Sequence, residues 1–587
     1  MRTVRFLALL SVGFAVLQVS RTQLRGQGRP AAPRPFSPVE ASIAQMRAAM
    51  EDGAITSHEL VALYLARIGM YEDKLHCIIT VNPRVFEEAD ERDRERAQHR
   101  IRGPLHGIPI ALKDNILTHD IVTTGGALVF DGYLPPYDAT LVKNLRNAGA
   151  VIIAKTGLTE LANFVAGSPT PMPGNYNAIA GFGFNPYDPR RDPRSNDGRP
   201  AMQTGGSSSG AGTAANFWAG NVGSETSGSI LSPSNQNMLA AVKPTVGRIS
   251  RYGVIPITAD QDTAGPMAKF VTDAAILLGA LESPAPDPND PATKTCPPPP
   301  DRDYTRFLKA DGLKGARIGI PRAFYYDPIE RAPARAEQAA PAPGRAGRTG
   351  GFGSGLAPEQ ARLMTEAIEI LKRQGAEIVD PANIPSVIAT DPAQNVNRWG
   401  VCGDMNTGKG RDANCSVVLK YGMKRDFNAF LATLGPSAPV KTLTELRQWN
   451  LTHTAQGAIR FGQAALDASD EMDVEADRAR YEADRAKDVL LAGTHGIDEV
   501  MKANRLDALL FPGANGASIA ARPGYPTVIV PFGMVPNNGN FPPGFDPKPQ
   551  PFGVAFTGMA CSEPTLLKLA YSFEQTTKRR VPPPSAP

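Results

Sequence analysis

After Pro38 the chain alternates short apolar runs with longer segments in which apolar residues return every three or four positions. The runs GIPIAL, VIIAKT, GARIGIP, DALLFP and YPTVIVPFG are bounded by glycine, proline or charge, which predicts strands. Helical spacing marks Val39 to Met50, DATLVKNLRNAGA, EQARLMTEAIEILKRQGAEIV leading into a strand, the charged stretch 467–491, and PTLLKLAYSFEQTT near the end. A further helix starts at Thr56, whose hydroxyl can cap it while Glu59 reaches back in a capping box. Strand alternating with helix predicts an α/β fold.

The pattern fails in a few places. MRTVR followed by the apolar run Phe6 to Val19 is too short to span a membrane and reads as a secretory signal or N-terminal anchor over 1–20. Any membrane association is expected only through residues 6–19, and the expected location is periplasmic or secreted. Residues 21–37 read as a linker, 38–580 as the folded domain and 581–587 as a proline-rich tail. Segments 283–302 and 328–358 are low in complexity and read as loops, the second as a mobile insertion.

With 587 residues, 42% hydrophobic and 20% charged, the chain can bury a substantial core. Its 62 basic and 58 acidic side chains are balanced and form no basic run, so no nucleic-acid partner is expected. The five cysteines contain no CxxC pair, which leaves no zinc ribbon or redox dithiol, and neither metal nor cofactor is expected. Cys402 and Cys415 are close enough in sequence to bridge in an oxidising compartment.

Candidate chemistry lies in TGGSSSGAGTAANFWAGNVGSETSGSI, from Thr204 to Ile230. Its glycines permit close backbone approach and converging N–H groups, while TAANFWA within it looks helical and buried, unlike a linker. No GxxxxGK[ST] occurs, which disfavours a phosphate loop. Gly206 to Gly210 satisfies GxSxG with Ser208 at the centre and His453 or His495 as base, but the polar SNDGRPAMQTG ahead of it is a poor lead-in strand. The other layout takes its base from Lys113, which follows the apolar GIPIAL directly. A buried lysine loses affinity for its proton and can deprotonate a serine; the alternative there is an ordinary strand-end lysine paired with a carboxylate.

ALKDN around Lys113, TGGSSSG at 204–210, GSETSGSI at 223–230, and KPTVGRISRYGVIP with QDTAGPM at 243–267 occur in the order seen in the amidase signature family. YPTVIVPFG, PFGVAFTG and SEPTLLKLAYSFEQTTKRR also resemble that family, so the similarity runs from Pro38 to Arg580. It implies one large α/β domain with a mixed central sheet flanked by helices, and amide hydrolysis by a Ser/cis-Ser/Lys triad. By motif, Ser229 matches the acyl-forming nucleophile, Ser207 the bridging cis-serine and Lys113 the base. The backbone N–H groups of Thr226, Ser227, Gly228 and Ser229 match the oxyanion hole, and Gly205, Gly206 and Ser208 the substrate-binding loop. The implied partner is a small-molecule or peptide amide.

This chain departs from the family in several ways. Ser227 stands where the family often has glycine and Glu225 where it often has aspartate. The interval from Ser207 to Ser229 is a couple of residues short, which leaves Ser208 as an alternative bridge. Other readings are an A-type component of an amidotransferase, a non-catalytic binding protein on the same fold, and the GxSxG esterase.

Overall fold

A computed structural model describes residues 36–168, 170–206, 209–329, 355–403 and 413–587. Its centre is an eleven-stranded mixed sheet. In chain order the sheet strands are β1 (Ile78–Val81), β2 (Pro109–Lys113), β3 (Val151–Thr156), β4 (Gly220–Glu225), β5 (Ala240–Lys243), β6 (Thr263–Ala268), β7 (Arg317–Gly319), β8 (Glu377–Val379), β9 (Ala508–Pro512), β10 (Thr527–Val535) and β11 (Gln550–Thr557). Across the sheet they run β1-β3-β2-β4-β6-β5-β10-β11-β9-β7-β8. β2 pairs in parallel with both β3 and β4, whereas β4, β6, β5, β10 and β11 are successively antiparallel.

β2 and β3 are buried at every position, as continuous apolar runs in a covered parallel region require. The opening helices are α1 (Ile43–Glu51) and α2 (Ser57–Leu75), the latter carrying the expected Thr56–Glu59 capping box. They are followed by α3 (Val85–Ala97), α4 (Thr140–Asn147), α5 (Ser209–Ala214), α6 (Leu231–Gln236) and α7 (Val271–Leu281). α7 is buried at every position except Thr272 and packs on β5 and β6. The C-terminal helix Glu563–Thr577 covers β10.

The structure corrects several expectations. The helix expected through TAANFWA stops at Ala214, where Asn216 takes a left-handed φ of 57° and turns the chain. Phe217 and Trp218 enter the core from this turn, with Trp218 Nε1 donating to Thr213 Oγ1 at 2.7 Å. The charged stretch 467–491 is broken into Ala464–Asp470, Arg478–Val489 and a wide helical turn, Leu490–Asp498.

Segment 283–302 is a loop, but a pinned one. Asp287 accepts from Thr140 Oγ1 and Ser250 Oγ at 2.6 Å each, Asp290 pairs with Arg251, and Cys296 is bonded to Cys561. A second disulfide joins Cys402 and Cys415, as an oxidising compartment would permit, and Cys77 remains a buried thiol. The signal over 1–20, nearly all of the linker, Ser207, Ser208 and most of the 328–358 insertion (330–354) lie outside the described residues. The tail 581–587 is docked, with Ala586 fully buried.

Candidate active site

Two parallel strands and the loop after one of them bring the candidate residues together. Lys113 ends β2 with no exposed surface. Its Nζ donates to Ser224 O at 3.1 Å and Ser224 Oγ at 3.0 Å, and Asn115 Nδ2 donates to the same hydroxyl at 2.9 Å. Burial lowers the Lys113 pKa to about 8, against the opposing pull of Asp262 and Glu225. Because its bonding partners are neutral, the amine can lose a proton without breaking an ion pair.

β4 ends at Glu225 and releases the loop Thr226–Ile230 ahead of α6. Two buried carboxylates hold this loop at its ends. Glu225 Oε2 accepts from Ile230 N at 2.7 Å and Leu231 N at 2.9 Å, with a further backbone contact from Gly228. Asp262 accepts from Thr226 Oγ1 and from the amides of Ile257 and Thr258 at 2.8 and 2.9 Å. Burial raises the pKa of both, that of Asp262 to about 6. Ser229 is half-buried at the crest of the loop and Ser227 is exposed, its Oγ 3.3 Å from Ser518 Oγ. The N–H groups of Thr226, Ser227 and Ser229 find no acceptor among the described residues.

The glycine loop comes to Ser229 from the other side. Gly205 has φ +84°, and a β-carbon there would lie 2.4 Å from Pro233 N; one on Gly206 would lie 2.8 Å from Ser229 Oγ. At Gly205 the left-handed backbone and the Pro233 main chain admit only glycine, and at Gly206 a larger residue would displace the Ser229 hydroxyl. Asn237 Nδ2 fixes the loop by donating to Thr204 O at 3.0 Å. The structure thus brings Lys113, Thr226, Ser227, Gly228, Ser229, Gly205 and Gly206 to one region, while Ser207 and Ser208 are not described.

The histidine alternative finds no support. His453 stacks on Trp449 at 3.7 Å and contacts its carbonyl, and His495 contacts Glu499. No strand precedes Gly206 directly among the described residues. Among the described residues the cluster His119, Asp120 and Asp138 has metal-ligand types, but the Arg146 guanidinium already sits 2.6 Å from Asp120 and 3.2 Å from Asp138. Sequence reasoning missed the parts played by Ser224, Asn115 and Asp262, although all three stand inside the motifs that carry the family resemblance.

The amidase family model matches residues 59–342. The chain is 32% identical to a probable amidase of Arabidopsis thaliana over 93% of its own length and 92% of the relative's. It belongs to the amidase signature family. It is also 30% identical to the A-type component of the glutamyl-tRNA(Gln) amidotransferase of Thermosynechococcus vestitus, over 88% of this chain and 94% of that one. The crystal structure of peptide amidase from Stenotrophomonas maltophilia superposes with a TM-score of 0.76 at 34% identity, covering 94% of this chain and 99% of that one. This amidase therefore has the mixed sheet flanked by helices that the motifs implied, and membership places it among hydrolases of amide C–N bonds.

Proposed function

We propose that this amidase cleaves a peptide or other carboxylic amide through an acyl-enzyme on Ser229, with Lys113 as base and Ser207 as bridge. The observation that carries the reading is Lys113: a fully buried amine at a strand end, bonded to the neutral Ser224, its pKa lowered to about 8. Ser229 Oγ attacks the amide carbon as its proton passes to Ser207 and the Ser207 proton passes to Lys113 Nζ. The carbonyl oxygen takes the developing negative charge toward the N–H groups of the loop 226–229. Reversal of the relay protonates the leaving nitrogen, and water then releases the acid by the same route.

The likeness to a peptide amidase along nearly its whole length supports a peptide amide as substrate. Two disulfides, together with the signal-like start of the sequence, support export. Similarity to the A-type component of an amidotransferase favours a second reading, in which the ammonia released is passed to a partner. Purified protein offered peptide amides decides between them. Ammonia release by the isolated chain, lost in Ser229→Ala, is the expected result; turnover only after addition of partner proteins would overturn it.

A further inference from the structure

α5 follows directly on the Gly-Ser loop and is only six residues long. So short a helix does not hold itself in place, and its last carbonyls have no partner within the helix. Side chains from distant parts of the chain gather there instead. Arg580 Nη2 donates to Ala214 O at 3.2 Å. Arg67, from α2, donates through Nη2 to Ala215 O at 3.0 Å and through Nε to Asn216 O at 3.1 Å. Lys269 Nζ donates to Asn216 Oδ1 at 2.8 Å, and Glu40 accepts from Asn216 Nδ2 at 3.0 Å. Positive charge at a helix C-terminus is favourable, and here it is buried: Arg67 is 6% exposed and Lys269 0%.

Arg580 is paired with Glu40, at 2.7 Å from Nε. Arg67 is used differently, since its hydrogen bonds to the described residues end on main-chain oxygens. Besides Ala215 and Asn216 it donates to Ala586 O and Pro587 O, both at 2.9 Å, clasping the docked tail. Its planar fork therefore joins α2, the end of α5 and the tail in a fixed geometry that a lysine cannot reproduce. Ahead of α5 the tolerance is small: Gly205 lies against the Pro233 main chain with no room for a methyl group, and a methyl group on Gly206 would displace Ser229 Oγ. α5 starts at Ser209, within a few residues of that contact, so the clamp on its carbonyls and the glycine contact lie on one short stretch of chain.

We propose that Arg67 is a positioning residue for amide hydrolysis: by holding the carbonyls of Ala215 and Asn216 it fixes α5, and through α5 the separation between the Gly-Ser loop and Ser229. The proposal rests on the reading that a serine of that loop relays the proton of Ser229.

The test uses the full-length protein and Arg67→Met. A fluorophosphonate counts active sites by labelling Ser229, and kcat and KM are then measured per labelled site on a peptide amide. Turnover per site is expected to fall about ten- to a hundredfold, the scale of a misplaced catalytic group, with KM within about threefold. The rise of activity with pH should keep its midpoint, because Lys113 is untouched. Unchanged kcat per site with only a lower Tm would make Arg67 merely structural and overturn the proposal. If Arg67→Met does not fold, Arg67→Lys retains the charge without the fork and should lose about three- to tenfold; unchanged turnover there overturns the proposal equally. Failure of the probe to label wild-type Ser229 would overturn the relay reading itself, and this proposal with it.

Discussion

Two lysines on neighbouring strands have the same burial and opposite surroundings. Lys113 ends β2 and Lys155 lies on β3, one register step away, where Leu112 pairs with Lys155 and Lys113 with Thr156. Neither has exposed surface. Lys155 Nζ sits 3.2 Å from the buried Asp114 carboxylate and 2.5 Å from Thr123 Oγ1. Among the described residues Lys113 is hydrogen-bonded to Ser224, and the carboxylates that act on it, Asp262 and Glu225, are committed to the loop that bears Ser229. Burial alone therefore does not make a lysine a base. Desolvation lowers the pKa of both lysines, but at Lys155 it is opposed by a carboxylate in direct contact, Asp114, whereas Lys113 is bonded to a neutral hydroxyl and carbonyl.

The comparison breaks most visibly in activity. Lys113→Met should lower kcat by at least about a thousandfold with little loss of stability, because it replaces a buried amine that has no carboxylate in an ion pair with it among the described residues by an apolar group of similar length. Ser229→Ala should abolish turnover, and the two losses should not add when combined. Lys155→Met should do the reverse. It strands the buried Asp114 carboxylate and should cost about 3–5 kcal/mol in denaturant unfolding, while the molecules that fold keep kcat within about tenfold.

Smaller changes sharpen the contrast. Reducing Cys296–Cys561, which closes 265 residues and ties the pinned loop to the start of the C-terminal helix, should cost about 2–5 kcal/mol while leaving kcat unchanged below the new Tm. Ser224→Ala removes one acceptor of Lys113 and should lower kcat about tenfold, with a shifted pH midpoint. The smallest expected effect is on stability against pH. Because the folded pKa of Lys113 is about 8, below the ordinary lysine value of about 10.4, the unfolded chain binds the extra proton between those values. Its contribution to stability therefore grows as pH rises through that window. Lys243 and Lys269 carry similar depressed values, so only the difference between wild type and Lys113→Met isolates it.

The strands that position the site were legible because they are continuous apolar runs closed by charge, and the β2 run ends at Lys113 as the sequence indicates. The α5 boundary was not legible, because TAANFWA has helical spacing and nothing local shows that Asn216 will be seized by Lys269 and Glu40 from far along the chain. The Cys296–Cys561 pair was hidden for the same reason, being separated by 265 residues. Strand position alone does not separate Lys113 from Lys155, since both follow apolar strand residues; the ALKDN motif singles out Lys113, and the three-dimensional partners, Ser224 in one case and Asp114 in the other, supply the physical difference between them.

The most direct test of that assignment is the rate at which a fluorophosphonate labels the enzyme as a function of pH, with the modified residue identified by peptide mapping, in wild type, Lys113→Met and Lys155→Met. The account predicts an adduct on Ser229 whose rate climbs with pH to a plateau above about 8 in wild type and Lys155→Met and nearly vanishes in Lys113→Met. An adduct on Ser208, or a Lys113→Met protein that labels at the wild-type rate, would contradict it.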